Sequence, residues 1–289
     1  MDRKVTVRFY EISGTKQGGR TFEDILREID GIPDKVARQK DVAEGCTVRL
    51  EGMGENNGLI VGDITRVQSQ NLPPEVTDDG TSDLPVDRIG HEVAFCYDPE
   101  TKIAALQFDQ KAVTVGRFCT YASLFHRGSL FAPMPVLNRG AWEEFERETP
   151  RRMVVQIARV ENFAHLGRNR TGFEDQISDW ANRFDSPVVE IGFRARGKDG
   201  HLDPEETKST IRRWLDIAQE IAGVKKVQAE TLEADEAYNF LKQLLKESST
   251  LDLPRNTEQR RTIRMNYVRS CYERHRATFR EDYVNPLNT

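Results

Sequence analysis

Between Arg255 and Arg280 the chain places eight arginines, no lysine and only two acids, Glu258 and Glu273, inside a protein whose net charge is −5. The segment reads as one helix. Ile263, Tyr267, Val268, Cys271, Tyr272, His275 and Phe279 recur at helical spacing, and Asn256 with Gln259 supplies a start signal after Pro254. Such a helix constrains the fold, because its apolar stripe has to be covered and its local positive charge has to be answered. Arginine in place of lysine selects planar, bidentate partners such as phosphate or carboxylate. At 100° per residue, Arg269, Arg276 and Arg280 fall within about 40° of one another and off the apolar stripe. That face has two readings, a solvated outer surface or a phosphate-contacting helix.

The rest of the chain predicts an α+β protein of two mixed domains. Its 289 residues, 37% hydrophobic and 31% charged, are enough for two cores under a heavily charged surface. No stretch approaches the ~20 apolar residues of a membrane span. MDRKVTVRFYEI opens on a strand pattern without the apolar region of a signal peptide, which predicts a cytoplasmic location. The cysteines, Cys46, Cys96, Cys119 and Cys271, lie far apart in apolar surroundings and are expected to be buried and reduced. The histidines show no metal-ligand spacing, so neither a metal nor a cofactor is expected.

Charge is divided unevenly. Residues 1–150 hold 18 basic and 25 acidic side chains, and residues 151–289 hold 24 and 22. A polyanion contact therefore belongs to the second half.

In the first half, Lys4 to Tyr10 alternates as a strand, and Thr21 with Asp24 caps a helix over TFEDILREID. Cys46 to Met53 and Gly58 to Val67 read as paired strands joined across GENN, with Gly54, Asn56 and Asn57 in the turn. Residues 70–88 read as an acidic loop. HEVAFCY and KIAALQF flank the turn DPET, a helical pattern covers Val115 to Phe125, and Ser129 to Leu137 is at most an edge strand. The acidic WEEFERE reads as a turn, and Pro150 marks a boundary between domains 1–150 and 151–289.

The second half predicts strands at Arg152 to Val160, Pro187 to Phe193 and Val224 to Ala229. Helices are expected at Phe173 to Phe184, from Asp203 to about Ala222, at Glu236 to Lys246, and finally over the arginine-rich segment.

A nuclease of the restriction type needs two carboxylates around a strand and a lysine two residues beyond the second. Asp185 and Glu190 flank such a strand, but Gly192 occupies the lysine position, which favours ordinary strand-edge solvation. GTKQGG and GRNRTG lack the ending of a phosphate loop, and no nucleophile elbow is present. No catalytic residue is assigned. The polyanion-binding set is Arg168 and Arg170 in the HLGRNRTG loop, Arg194 and Arg196 on one strand face, and Arg269, Arg276 and Arg280, with Arg212 and Arg213 as further candidates.

FCYDPETKIAALQFDQKAVTVGRFCTYASLF (Phe95 to Phe125) and LKESSTLDLPRNTEQRRTIRMNYVRSCYERHRATF (Leu245 to Phe279) resemble the corresponding parts of the RexA phage-exclusion proteins of lambdoid prophages. More distantly, the overall plan is similar to the KwaB proteins of the Kiwa anti-phage system. The resemblance implies a cytoplasmic, non-enzymatic, DNA-associated defence component with a membrane-protein partner. The expectation is thus a homodimer that contacts the backbone of double-stranded DNA with little base readout. Its rivals are a Mg²⁺-dependent nuclease and a protein-interaction module whose acidic half docks a partner.

Overall fold

The computed structural model describes residues 2–14, 19–138, 140–158, 172–184, 188–197, 200–220, 223–234 and 236–284. It is an α+β protein of two compact units, Met1–Pro133 with Lys246–Thr289 and, inserted in sequence between these stretches, Met134–Leu245.

The first unit contains β1 (Asp2–Gly14), α1 (Phe22–Asp30), β2 (Lys40–Ala43), β3 (Cys46–Asn56), β4 (Leu59–Gln68), β5 (Glu75–Thr77), β6 (Gly80–Ser82), β7 (Ile89–Asp98), β8 (Ile103–Phe108) and α2 (Val115–Ser123). The strand β9 (Phe131–Pro135) spans the division. In the second unit lie α3 (Ala141–Arg147), β10 (Pro150–Ala158), α4 (Gly172–Arg183), β11 (Val188–Arg194), α5 (Pro204–Glu220), β12 (Val224–Thr231), β13 (Tyr238–Asn239) and α6 (Phe240–Gln243). The chain then returns to the first unit with β14 (Lys246–Asp252) and α7 (Thr257–Tyr283).

The sheet of the first unit runs β14-β1-β8-β7-β4-β3-β2, with β9 also on β1. Its β1–β14 register extends from Asp2↔Asp252 to Arg8↔Lys246. One face packs Tyr10, Ile12, Ile60, Ile64, Val93, Phe95, Tyr97 and Leu106 against Phe22, Ile25 and Phe118 of α1 and α2. Side chains of the other parity, such as Val61, Ala94, Cys96 and Ala105, are buried as well, and α7 packs on β7, β8 and β4. Two-sided burial explains the near-continuous apolar runs of β7 and β8. The capping box at Thr21 and Asp24 is present. Asn57 (φ 52°) and Gly58 (φ 78°) form the β3–β4 turn, one step beyond the expected GENN, so Gly54 lies within β3. Gly62 has a packing role: a Cβ there would lie 2.6 Å from the Phe95 ring.

In the second unit β11-β10-β12-β13 is antiparallel throughout. Thus β11 and β12 run parallel on either side of β10 and are joined through α5, a split βαβ arrangement. Met153, Val155, Ile157 and Val227 pack with Ile177 and Ala181 of α4, Ile211, Trp214 and Leu215 of α5, and Phe145 and Phe240.

The boundary expected at Pro150 is corrected, because β14 and α7 complete the first unit. The charge asymmetry goes with it: the first unit carries 25 basic and 27 acidic residues and the second 17 and 20. WEEFERE is largely helical, in α3, and the helix expected over Glu236 to Lys246 is reduced to the single turn of α6 between β13 and β14.

Candidate nucleic-acid interface

The arginines of α7 are answered by carboxylates of the first unit. Arg264 Nη2 lies 2.9 Å from Asp63 Oδ2 and 2.7 Å from Glu92 Oε2, and Nη1 donates to the Glu92 carbonyl at 3.2 Å. Arg261 approaches Glu92 at 3.6 Å, and Arg260 lies 3.9 Å from the same carboxylate. Further along, Arg276 Nε is 3.3 Å from the buried Asp98, Arg280 pairs with Glu100, and Arg274 with Glu247. Arg269 stands 3.8 Å from Glu273, one helical turn on. The spacing follows from the repeats: six residues of β7 from Glu92 to Asp98 span about 20 Å, and twelve residues of α7 from Arg264 to Arg276 about 18 Å.

The face expected to be solvated or phosphate-bound is therefore a charged seam inside the first unit. Arg276 and Arg269 keep only 22% and 29% of their side-chain exposure, whereas Arg280 remains 45% exposed beside an equally exposed Glu100. For Arg269 and Arg276 the expected availability is corrected. Helical angle located them off the apolar stripe, but the sheet supplies Asp98 to Arg276, and Arg269 has Glu273 of its own helix one turn on.

Asp63 is the most deeply placed member of this seam. It is fully buried, and Oδ1 has no hydrogen-bond partner among the described residues. Burial pushes its carboxyl up to about 7, with Arg264 opposing and Glu92 adding to the shift. Glu247 is held below the ordinary glutamate value: burial would raise it, but hydrogen bonds from Arg274 and His275, the latter at 2.7 Å, prevail. Cys46, Cys96, Cys119 and Cys271 are free and buried, as expected, and burial pushes the Cys271 thiol up to about 11.

A different arginine group remains open in the second unit. Residues of even number on β10 and β11 share the sheet face away from the apolar core, with Gln156 opposite Glu190, Val154 opposite Gly192 and Arg152 opposite Arg194. Arg196 follows two residues on, where Ala195 still donates to the Arg151 carbonyl at 3.0 Å. Arg152 pairs with Glu230 at 2.7 Å. Arg194 and Arg196 are exposed, and neither has a carboxylate partner among the described residues. The register thus places Arg152, Arg194 and Arg196 at one sheet corner, where among the described residues Glu230 is the one carboxylate paired with them, an arrangement suited to phosphate oxygens.

Of the expected binding set, Arg194 and Arg196 come together here, and Arg152 joins them, which sequence reasoning missed. The signal available was the antiparallel pairing of two arginine-bearing strand ends. Arg168 and Arg170 lie outside the described residues, as does Asp185. Arg212 meets Glu146 at 3.2 Å, and Arg213 pairs with the buried Glu174. Glu190, the other carboxylate of the nuclease alternative, has Gln156 at 3.4 Å and Lys226 at 3.8 Å.

Among the described residues no helix is long and apolar enough to cross a membrane. No family model, curated protein or solved structure matches the chain.

Proposed function

We propose that the chain is a non-enzymatic binding protein that contacts the phosphate backbone of double-stranded DNA through Arg152, Arg194 and Arg196. The observation that carries this reading is the exposure of Arg194 and Arg196 without carboxylate partners among the described residues, on the face that also holds Arg152. A guanidinium in that state is free for bidentate phosphate contact, whereas the α7 arginines already have acidic partners. Among the described residues the corner shows no pairing of Asn or Gln with exposed aromatics, so backbone contact with little base readout suits it better than sequence recognition. The assignment to cytoplasmic phage exclusion, acting with a membrane-protein effector, follows the resemblance of Phe95 to Phe125 and Leu245 to Phe279 to the RexA proteins.

The test is fluorescence anisotropy of labelled duplexes of unrelated sequence, titrated with protein over a range of salt. Changing Arg194 and Arg196 together to Gln weakens binding to every sequence alike and flattens the slope of log K against log[salt] by about 0.9 per lost contact. An unchanged slope, or no binding by the parent protein at low salt, overturns the reading.

A further inference from the structure

We infer that two copies of the chain join edge to edge through β11, the strands running antiparallel about a twofold axis at Gly192. The pairing goes beyond the DNA reading and does not depend on it.

β11 ends its sheet and, among the described strands, pairs only with β10. The bond from Ala195 N–H to Arg151, in a register without shifts, fixes the backbone alternation: odd-numbered residues of β11 turn their N–H and C=O toward β10. Glu190, Gly192 and Arg194 turn theirs to the open side, where no described residue meets them. Between Val188 and Arg194 there is no proline, lysine or bulge, the usual protections of an exposed edge.

The side chains are self-complementary in one register. With Gly192 opposite Gly192 of the second copy, Glu190 faces Arg194 twice, on the polar side of the sheet, and Ile191 faces Phe193 twice on the other. Arg194 gains the carboxylate it lacks among the described residues. Phe193, 49% exposed, gains an apolar cover. Centring the axis on Ile191 instead keeps apolar pairs, Ile191 with itself and Val189 with Phe193, but sets Glu190 against Gly192 and Val188 against Arg194, losing both ion pairs.

Gly192 supports the same conclusion. A glycine in mid-strand weakens the strand and marks the close approach of another backbone. Its own fold does not demand it, since a Cβ there would meet Met153 O at 3.8 Å and Val154 Cγ2 at 4.0 Å, ordinary contacts. The paired strands make one continuous sheet, and because Arg194 is engaged across the interface, the arginine of each corner left without a carboxylate partner among the described residues is Arg196, on the same polar face of both copies.

Sedimentation velocity of the full chain without nucleic acid tests this, so that failure of DNA binding leaves the outcome untouched. The parent is expected at twice its 33.1 kDa chain mass at micromolar concentration. Glu190→Arg and Arg194→Glu each place like charges opposite one another and are expected to weaken association at least about tenfold. Mixing the two variants restores opposite charges at both positions and is expected to give the heterodimer, a gain that misfolding cannot mimic. A monomeric parent, a dimer indifferent to both substitutions, or a mixture that stays monomeric overturns the inference.

Discussion

Tyr272 donates a hydrogen bond to Asp98 at 2.9 Å, with neither side chain more than 1% exposed. Thr101 Oγ1 is 2.7 Å from the same phenol oxygen, and Arg276, one turn along α7, approaches the same carboxylate. Tyr272→Phe is expected to lose about 1–3 kcal/mol, because a buried charged acceptor is left with one fewer donor. Urea unfolding checks this as a lower midpoint at constant m. An unchanged midpoint would show that the phenol does not anchor the helix.

Arg264 bridges two carboxylates. Arg264→Met leaves Asp63 and Glu92 without their closest cation and is expected to cost about 3–5 kcal/mol. Adding Asp63→Asn to that variant should recover part of the loss, since an amide carries no charge to be compensated. A double-mutant cycle measures the coupling, and additive effects would contradict the contact.

Asp63 also sets a pH dependence. Its folded value near 7 exceeds the ordinary 3.8, so between about pH 4 and pH 7 the folded state holds a proton that the unfolded state releases. Stability from this group is therefore present at the acid end and declines as pH rises through 7, by at most about 4 kcal/mol. Glu247 acts in the opposite sense: its lowered value stabilises above the unfolded value of 4.5 and is lost as pH falls through the folded one. Thermal melts at several pH values are expected to show the first slope in the parent and not in Asp63→Asn. Equal slopes in both would count against it.

Changing Arg269, Arg276 and Arg280 together to Gln is expected to lower the melting temperature while leaving the salt slope of DNA binding unchanged. The reverse pattern, with intact stability and a flatter slope, would return the phosphate-binding role to α7.

Residues 70–88 contain the small β5–β6 hairpin, whose strand residues are all exposed. Limited proteolysis is expected to cut first within this stretch. Early cleavage elsewhere, with this stretch intact, would show that the hairpin is better protected than its exposure implies.

The sequence was most informative where a local signal acts alone. Thr21 with Asp24, Asn256 with Gln259, and Asp203 before Pro204 mark helix starts that the structure retains. β14 was missed because KESSTLD carries almost no apolar pattern; it is a strand through its pairing with β1, far away in sequence. EAYNFLKQLLK has helical spacing, but Tyr238 joins β13 beside β12, and Phe240, Leu241 and Leu244 pack in the core, so tertiary contacts override the local preference. In the terminal segment the helix and its need for oxygen partners were legible. Their identity was not, since Asp63 and Arg264 are 201 residues apart. Arg194 and Arg196 were legible as a pair, and Arg152 became a neighbour only once the strand register was fixed.

The insertion of 134–245 ahead of β14 and α7 imposes an order on synthesis. Asp63, Glu92 and Asp98 leave the ribosome well before the arginines that neutralise them; at about 5–20 residues per second, the interval from Asp63 to Arg264 is about 10–40 s. By the end of that time the second unit has all its strands available, while the first has a carboxylate-bearing sheet whose covering helix does not yet exist. The nascent sheet therefore stays open until the arginine-rich segment arrives, and α7 acts as the closing step of folding as well as a layer of the finished molecule.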